Sequence, residues 1–157
     1  MFWPAVNNGL SGVDFPLVLA LSDYKWPISS LLMGLKFSAR LPNAHALAKL
    51  FSQTCLDSDR ELPELIIPIP LHKNRYLLRK YNQSTEICKQ IGKINSIPVS
   101  SDILHRHKAT KKQTDLSAVA RRKNIKGAFS LAKNADKTLS QYTHVALFDD
   151  VITTGST

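Results

Sequence analysis

The chain has 157 residues, about the length of one domain, and its 21 Lys and Arg against 12 Asp and Glu give a formal net charge of +9. This charge favours an anionic partner, such as nucleic acid, a phosphorylated metabolite or a membrane surface. The longest apolar run near the N-terminus, 15–21, is well short of the roughly 20 residues of a membrane span, which excludes a spanning segment there. We therefore expect a soluble, cytoplasmic protein without membrane insertion.

Prolines and apolar spacing mark the elements of the first half. Residues 15–21 predict a strand. Pro27 opens a segment whose apolar residues fall at i, i+3, i+4 and i+7, which predicts a helix. Pro42 begins a second helical pattern, and the polar stretch 57–61 predicts a surface loop. The first helical face consists of Ile28, Leu31, Leu32 and Leu35.

The second half repeats the alternation of strands and helices. Residues 65–70 are too short and too β-branched for a helix and predict a strand followed by a basic loop. Asn82 can cap a helix, and 97–99 predicts a short strand. The segment 105–126 is polar and basic, with too few apolar residues for a core. Residues 143–148 predict a strand buried on both faces. The face predicted for the capped helix is Ile87, Cys88, Ile91 and Ile94.

These elements together predict an α/β fold with a parallel sheet and right-handed crossovers. Cys55 and Cys88 form no CxxC pair, so we expect structural thiols in a reducing compartment. No carboxylate or Cys lies at ligand spacing from the histidines, and we therefore predict no direct metal site. The histidines considered are His72, His105 and His107.

The chemistry of the chain is concentrated at its end, where Asp149 and Asp150 follow the last predicted strand. Ligands of an open parallel sheet gather at the carboxyl ends of its strands. Two carboxylates there can accept hydrogen bonds from the neighbouring hydroxyls of a ribose, or help to hold a hydrated Mg²⁺. The hydroxyl-rich run that follows can cradle a phosphate through successive backbone N–H groups. This run is Thr153, Thr154, Gly155, Ser156 and Thr157.

The terminal motif LFDDVITTGST, 147–157, resembles the 5-phosphoribosyl-1-pyrophosphate (PRPP) binding motif of type I phosphoribosyltransferases. Three upstream stretches narrow the resemblance to the ComF family. These are IPIPLHKNRYLLRKYNQS (67–84), HRHKATKKQTDLSAVARRKNIKGAFSL (105–131) and, more weakly, YKWPISSLLMGLKF (24–37). The resemblance covers 24–157. It implies a type I phosphoribosyltransferase-like domain over 24–157, preceded by an N-terminal segment, 1–23.

The resemblance also implies roles for particular residues. Asp149 and Asp150 would contact the ribose hydroxyls of PRPP with its Mg²⁺, and 153–157 would hold the 5′-phosphate. Arg75, Arg79 and Lys80 would face the pyrophosphate, whose developing charge is stabilised by positioned cations. The segment 105–122 would form a mobile hood that excludes water from the site. Family positions in and beside it are Lys111, Gln113, Arg121, Arg122 and Asn124.

The chain departs from the family pattern in three respects. Its 157 residues contain only two Cys and no counterpart of the cysteine-rich zinc-binding module with which many members begin. Lys80 stands where the family commonly has Gly, so a left-handed backbone there would be strained. We also expect the helix that follows the phosphate loop, and with it the C-terminal part of the fold, to lie beyond Thr157.

The family is associated with DNA uptake in natural transformation, and three functions remain open. The first is a PRPP-binding protein that handles incoming single-stranded DNA together with other DNA-uptake proteins, which the net charge of +9 favours. The second is an active phosphoribosyltransferase acting on a small nucleobase or amine. The third is an interaction module with a vestigial ligand site. The sequence indicates neither the acceptor, the DNA-binding surface nor the oligomeric state.

Overall fold

The computed structural model describes residues 17–56, 61–109 and 127–152. Two helices begin this part of the chain, α1 (Ile28–Phe37) and α2 (Pro42–Cys55), and both were predicted. Pro42 lies in the first turn of α2, where its missing N–H costs nothing. Leu32 and Leu35 of α1 pack against Ala44 and Leu47 of α2, which confirms the helical periodicity read from the sequence.

A short parallel sheet follows the two helices. Strands β1 (Leu65–Pro68) and β4 (Val145–Phe148) pair in parallel, with Leu65 opposite Val145 and Pro68 opposite Phe148. On the other side of β1, the Ile66 N–H donates to the Pro98 carbonyl at 2.9 Å. The strand predicted over 97–99 is reduced to a single parallel bridge between Ile66 and Val99, since only this one residue pair is in register.

Strand β1 is buried along its whole length because a hydrophobic cluster covers each of its faces. Ile66 belongs to the larger cluster, formed with α1, α2 and α4 (Gln83–Asn95). Leu65 and Ile67 belong to a smaller cluster with Ile103 and Ala135. β1 therefore lies between the two clusters, because successive side chains of a strand point to opposite faces.

Strand β4 is less covered than the sequence predicted. Phe148 meets Phe51 edge to face, with 5.8 Å between the ring centroids, and Val145 joins the smaller cluster. Leu147 lies on the same face as Val145 but beyond that cluster, and its side chain is 50% exposed. The prediction of a strand buried on both faces is therefore wrong.

The structure corrects three further element predictions. Residues 17–21 form no strand, although Leu21 packs on the larger cluster, and 15–16 lie outside the described residues. The basic loop after Pro70 contains a helix, α3 (Lys73–Arg79), whose first turn is capped by the His72 side chain. Strand β2 (Leu104–Arg106) pairs antiparallel with β3 (Phe129–Leu131), and β3 leads into the short α5 (Ala135–Leu139). These strands were missed because their partners are distant in sequence.

The architecture that results is α/β, with a small parallel sheet flanked by helices. No helix in the described ranges has both the length and the apolar character needed to cross a membrane. The Cys55 and Cys88 thiols are buried and not joined to each other, in agreement with the sequence.

Candidate functional site

The site is built where β4 ends against the first turn of α4. The carboxylate of Asp149 accepts a hydrogen bond from the Ser84 hydroxyl at 3.3 Å and another from the Asp150 N–H at 2.9 Å. Asn82 fixes the start of α4, because its side-chain oxygen accepts from the Ser84 N–H while its amide donates to the Ile69 carbonyl. The capped helix therefore holds Ser84 against the end of β4, and the cap itself was predicted.

Lys36 is a member of the site that the sequence did not reveal. From the last turn of α1, its ammonium group lies 2.6 Å from an Asp150 oxygen, and the side chains of Lys36 and Asp150 are only 18% and 14% exposed. The pair neutralises one of the two adjacent carboxylates. The one signal in the sequence was that Lys36 belongs to the weakly matching stretch 24–37.

Asp149 titrates far from its ordinary range. Its pKa is raised to about 7 by burial, and next by the negative charge of Asp150, against the opposing effects of the Asp150 N–H, Lys36 and the Ser84 hydroxyl. Near neutral pH this carboxyl is therefore divided between a form that only accepts hydrogen bonds and one that can also donate.

The charge of Asp149 also changes the pKa values of Cys88 and Arg106. Burial and then Asp149 raise the pKa of the Cys88 thiol, which keeps this cysteine protonated and unreactive. Burial and then the charge of Arg75 lower the pKa of Arg106, whereas Asp149 raises it. Arg106 also lies over the Phe129 ring, at 5.3 Å from its centroid, so the antiparallel pair β2 and β3 contributes a cation near the carboxylates.

The residues predicted to face pyrophosphate all lie on or beside α3. Arg79 stacks over the Phe37 ring at 5.4 Å and donates to the side-chain oxygen of Gln83 at 3.0 Å. Gln83 is only 1% exposed, and its amide nitrogen has no hydrogen-bond partner among the described residues. A buried donor beside an arginine fits an anionic oxygen.

Lys80 adopts a left-handed conformation, the case in which the sequence analysis expects strain at this position. It ends α3 with φ 67° and ψ −3°, and its N–H donates to the Tyr76 carbonyl at 2.6 Å. Glycine occupies such positions without steric cost, whereas a residue with a Cβ is strained there. The next residue, Tyr81, donates its hydroxyl to the Leu35 carbonyl and so attaches the turn to α1.

We expect Lys80→Gly to be more stable than Lys80→Ala by about 1 kcal/mol, because both remove the charge and only glycine relieves the left-handed strain. Urea unfolding of the two variants measures the difference. Equal unfolding free energies would contradict the strain.

We also expect Lys36→Met to lower the free energy of unfolding by about 2 kcal/mol, since it leaves a largely buried Asp150 carboxylate without its cation. The matched control is Lys89→Met, which breaks the more exposed pair of Lys89 and Glu86, 2.9 Å apart. Thermal or urea unfolding of both variants tests this prediction. Similar small losses in the two variants would show that the Lys36 pair contributes no more than a surface pair.

Several predicted site residues fall outside the described ranges. They comprise the phosphate run 153–157 and the hood positions Lys111, Gln113, Arg121, Arg122 and Asn124. Within 17–56, 61–109 and 127–152, no group of three or more His, Cys, Asp or Glu could hold a metal ion. The donor chemistry of Asp149 and Asp150 fits a hydrated Mg²⁺ delivered with a phosphorylated ligand, since both offer carboxylate oxygens.

An open cleft of about 300 Å³ lies apart from this site. It runs between the start of β2 and α5, and its polar lining is Ser100, Asp102, Lys133, Asn134 and Thr138. We locate the candidate chemistry at the carboxylates instead, because the buried ion pair and the shifted pKa are found there.

Comparison with known proteins gives close relatives and no structural neighbour. The chain is 40% identical over 144 residues to Competence protein F of Haemophilus influenzae, covering 89% of this chain and 62% of that protein. It is 37% identical to the DNA utilization proteins YhgH of Escherichia coli and Salmonella typhimurium, covering 61% of each. The chain thus spans about three-fifths of the length of these relatives. No family profile and no solved structure matches it. Identity of 37–40% over 89% of this chain to proteins of these names supports the resemblance to the ComF family.

Proposed function

We propose that this chain binds PRPP through a type I phosphoribosyltransferase-like site and acts in DNA uptake by handling single-stranded DNA. The observation that carries the PRPP part is the Asp149–Asp150 pair, placed at the carboxyl end of a parallel strand, where ligands of such sheets gather. The relatives' names, which refer to competence and to DNA utilization, support the DNA part.

The surroundings of the carboxylates suit a phosphorylated ribose. Ribose hydroxyls can donate to the oxygens of Asp149 and Asp150. Arg79 and the buried amide nitrogen of Gln83 offer donors for pyrophosphate oxygens. Mg²⁺ would accompany the diphosphate, with Asp149 and Asp150 as the oxygen donors of the protein, and would offset its negative charge. The phosphate run 153–157 and the hood remain part of the proposal.

A second candidate, an active phosphoribosyltransferase, is favoured by the titration of Asp149. In the metal-free protein this carboxyl has a pKa of about 7, which suits proton exchange with an incoming nucleobase or amine at neutral pH. Release of pyrophosphate from PRPP in the presence of such acceptors would identify this activity. If pyrophosphate release never exceeds the rate without an acceptor, the binding function stands without the transferase.

Calorimetric titration with PRPP and Mg²⁺, beside a salt series of single-stranded DNA binding, tests the main proposal. We expect saturable PRPP binding, and DNA affinity that falls linearly with salt on logarithmic axes, because counterions are released from the phosphates. Absence of PRPP binding would leave only an interaction module with a vestigial site. Absence of DNA binding would refute the DNA part.

A further inference from the structure

The end of α1 and the outer side of α3 form an exposed aromatic and basic surface. Phe37 is 67% exposed and Tyr76 is 50% exposed, although both are large apolar side chains. Arg79 lies between them, since its guanidinium stacks over Phe37 and it follows Tyr76 by three residues on the same helix. We call Phe37, Arg79 and Tyr76 the stacking row.

The chain segments that carry the stacking row contribute only positive charge, and the carboxylate of Asp150 is paired with Lys36, the residue before Phe37. No Asp or Glu occurs in 24–56 or in 65–85, the two stretches that contain α1 and α3. Lys73, Lys80 and Arg40 are exposed beside the row. None of the residues of α3 is buried, so the helix places its cations and its aromatic ring at the surface together.

We propose that the stacking row is the surface on which this protein binds single-stranded DNA, with bases stacked on Tyr76 and Phe37 and phosphates facing the neighbouring cations. This inference rests on the proposed DNA function and adds the location. Single strands offer π-faces to aromatic side chains and a phosphate backbone to Lys and Arg, which is the combination exposed here. A protein partner fits less well, because interface cores are depleted of Lys.

Tyr81, the other tyrosine of this region, is excluded as a stacking residue. Its hydroxyl donates to the Leu35 carbonyl and its ring packs against the larger hydrophobic cluster. The structure thus distinguishes two tyrosines, Tyr76 and Tyr81, that both lie in the basic stretch after Pro70. It also predicts that only the exposed one contributes to DNA affinity.

The test measures fluorescence anisotropy with a labelled oligothymidine of about 15 nucleotides, a length within the usual site sizes. We expect the double variant Phe37→Ala with Tyr76→Ala to bind at least tenfold more weakly at fixed salt, because each stacked base contributes strongly. Tyr76→Phe keeps the ring and should bind as the wild type does. The matched control is Trp26→Ala. Trp26 is 83% exposed and lies just before the start of α1, whereas Phe37 is the last residue of this helix.

PRPP titration and thermal unfolding of the same variants separate the possible failures. We expect thermal unfolding to be unchanged, since the removed rings are exposed. Phe37 supports Arg79, a proposed pyrophosphate donor, so PRPP affinity is compared in the single variant Tyr76→Ala, where we expect no change. If the wild type binds no oligothymidine, this inference and the DNA part of the proposed function both fall. If the wild type binds and the double variant binds equally well, only the stacking row is refuted. Loss of affinity for anionic lipid vesicles instead of DNA in the double variant would also refute it.

Discussion

Replacing both terminal carboxylates, Asp149→Asn together with Asp150→Asn, should weaken PRPP binding at least a hundredfold and leave the affinity for single-stranded DNA nearly unchanged. The two carboxylates are the proposed acceptors for the ribose hydroxyls, and an amide offers one acceptor oxygen where a carboxylate offers two. The same carboxylates would only repel a DNA backbone. A hundredfold loss corresponds to about 2.7 kcal/mol of binding free energy.

Calorimetry with PRPP and Mg²⁺ measures this loss, and anisotropy with oligothymidine measures the DNA affinity. Asp136→Asn is the matched control, because Asp136 is an exposed acid on α5 and its removal changes the net charge in the same direction. Equal loss of both ligands in a folded double variant would show that they share one site. Unchanged PRPP affinity would remove the carboxylates from the proposal.

The free energy of unfolding should reveal the unusual titration of Asp149. The folded protein binds the proton of this carboxyl more tightly than the unfolded chain does, since its pKa is raised from 3.8 to about 7. The stabilisation is therefore complete below pH 4 and is lost as the pH rises through 7. Asp149→Asn cannot ionise, so we expect it to be more stable than the wild type by about 4 kcal/mol at pH 8, and similar to it at pH 4.

Urea unfolding at several pH values between 4 and 8 tests this dependence. Glu64→Gln provides a contrast of opposite sign, because hydrogen bonds from the Thr143 and His144 N–H groups lower the pKa of Glu64. That carboxylate stabilises the fold above its unfolded pKa, and the contribution is lost as the pH falls. A constant difference between wild type and Asp149→Asn across the pH range would contradict the raised pKa.

The elements that the sequence predicted correctly are those whose signals are local. The i, i+3, i+4 spacing of α1, the proline that opens α2 and the Asn82 cap of α4 each act within a few residues. The predicted apolar face of α4 wrongly included Ile94, which lies near the end of the helix and is 42% exposed. α3 was read as a loop because, with no buried residue, it has no apolar face to generate a pattern.

The candidate site was predicted in part for the same physical reason. Asp149 and Asp150 follow a strand directly, so their position at the edge of the sheet could be inferred from adjacent residues. Lys36 and Ser84 reach the carboxylates only through the packing of α1 and α4 on the sheet. Contacts between distant segments leave no periodic trace in a single sequence, and neither residue could be assigned a role from spacing.

The position of β1 between two hydrophobic clusters also affects how the protein unfolds. Ile66 faces one cluster while Leu65 and Ile67 face the other. Unfolding of either cluster therefore exposes one face of β1 to solvent. The two halves of the described fold should therefore lose their structure in one cooperative step. The carboxylates lie at the end of the strand that pairs with β1, so local melting of either half would disorder them together with the rest of the fold.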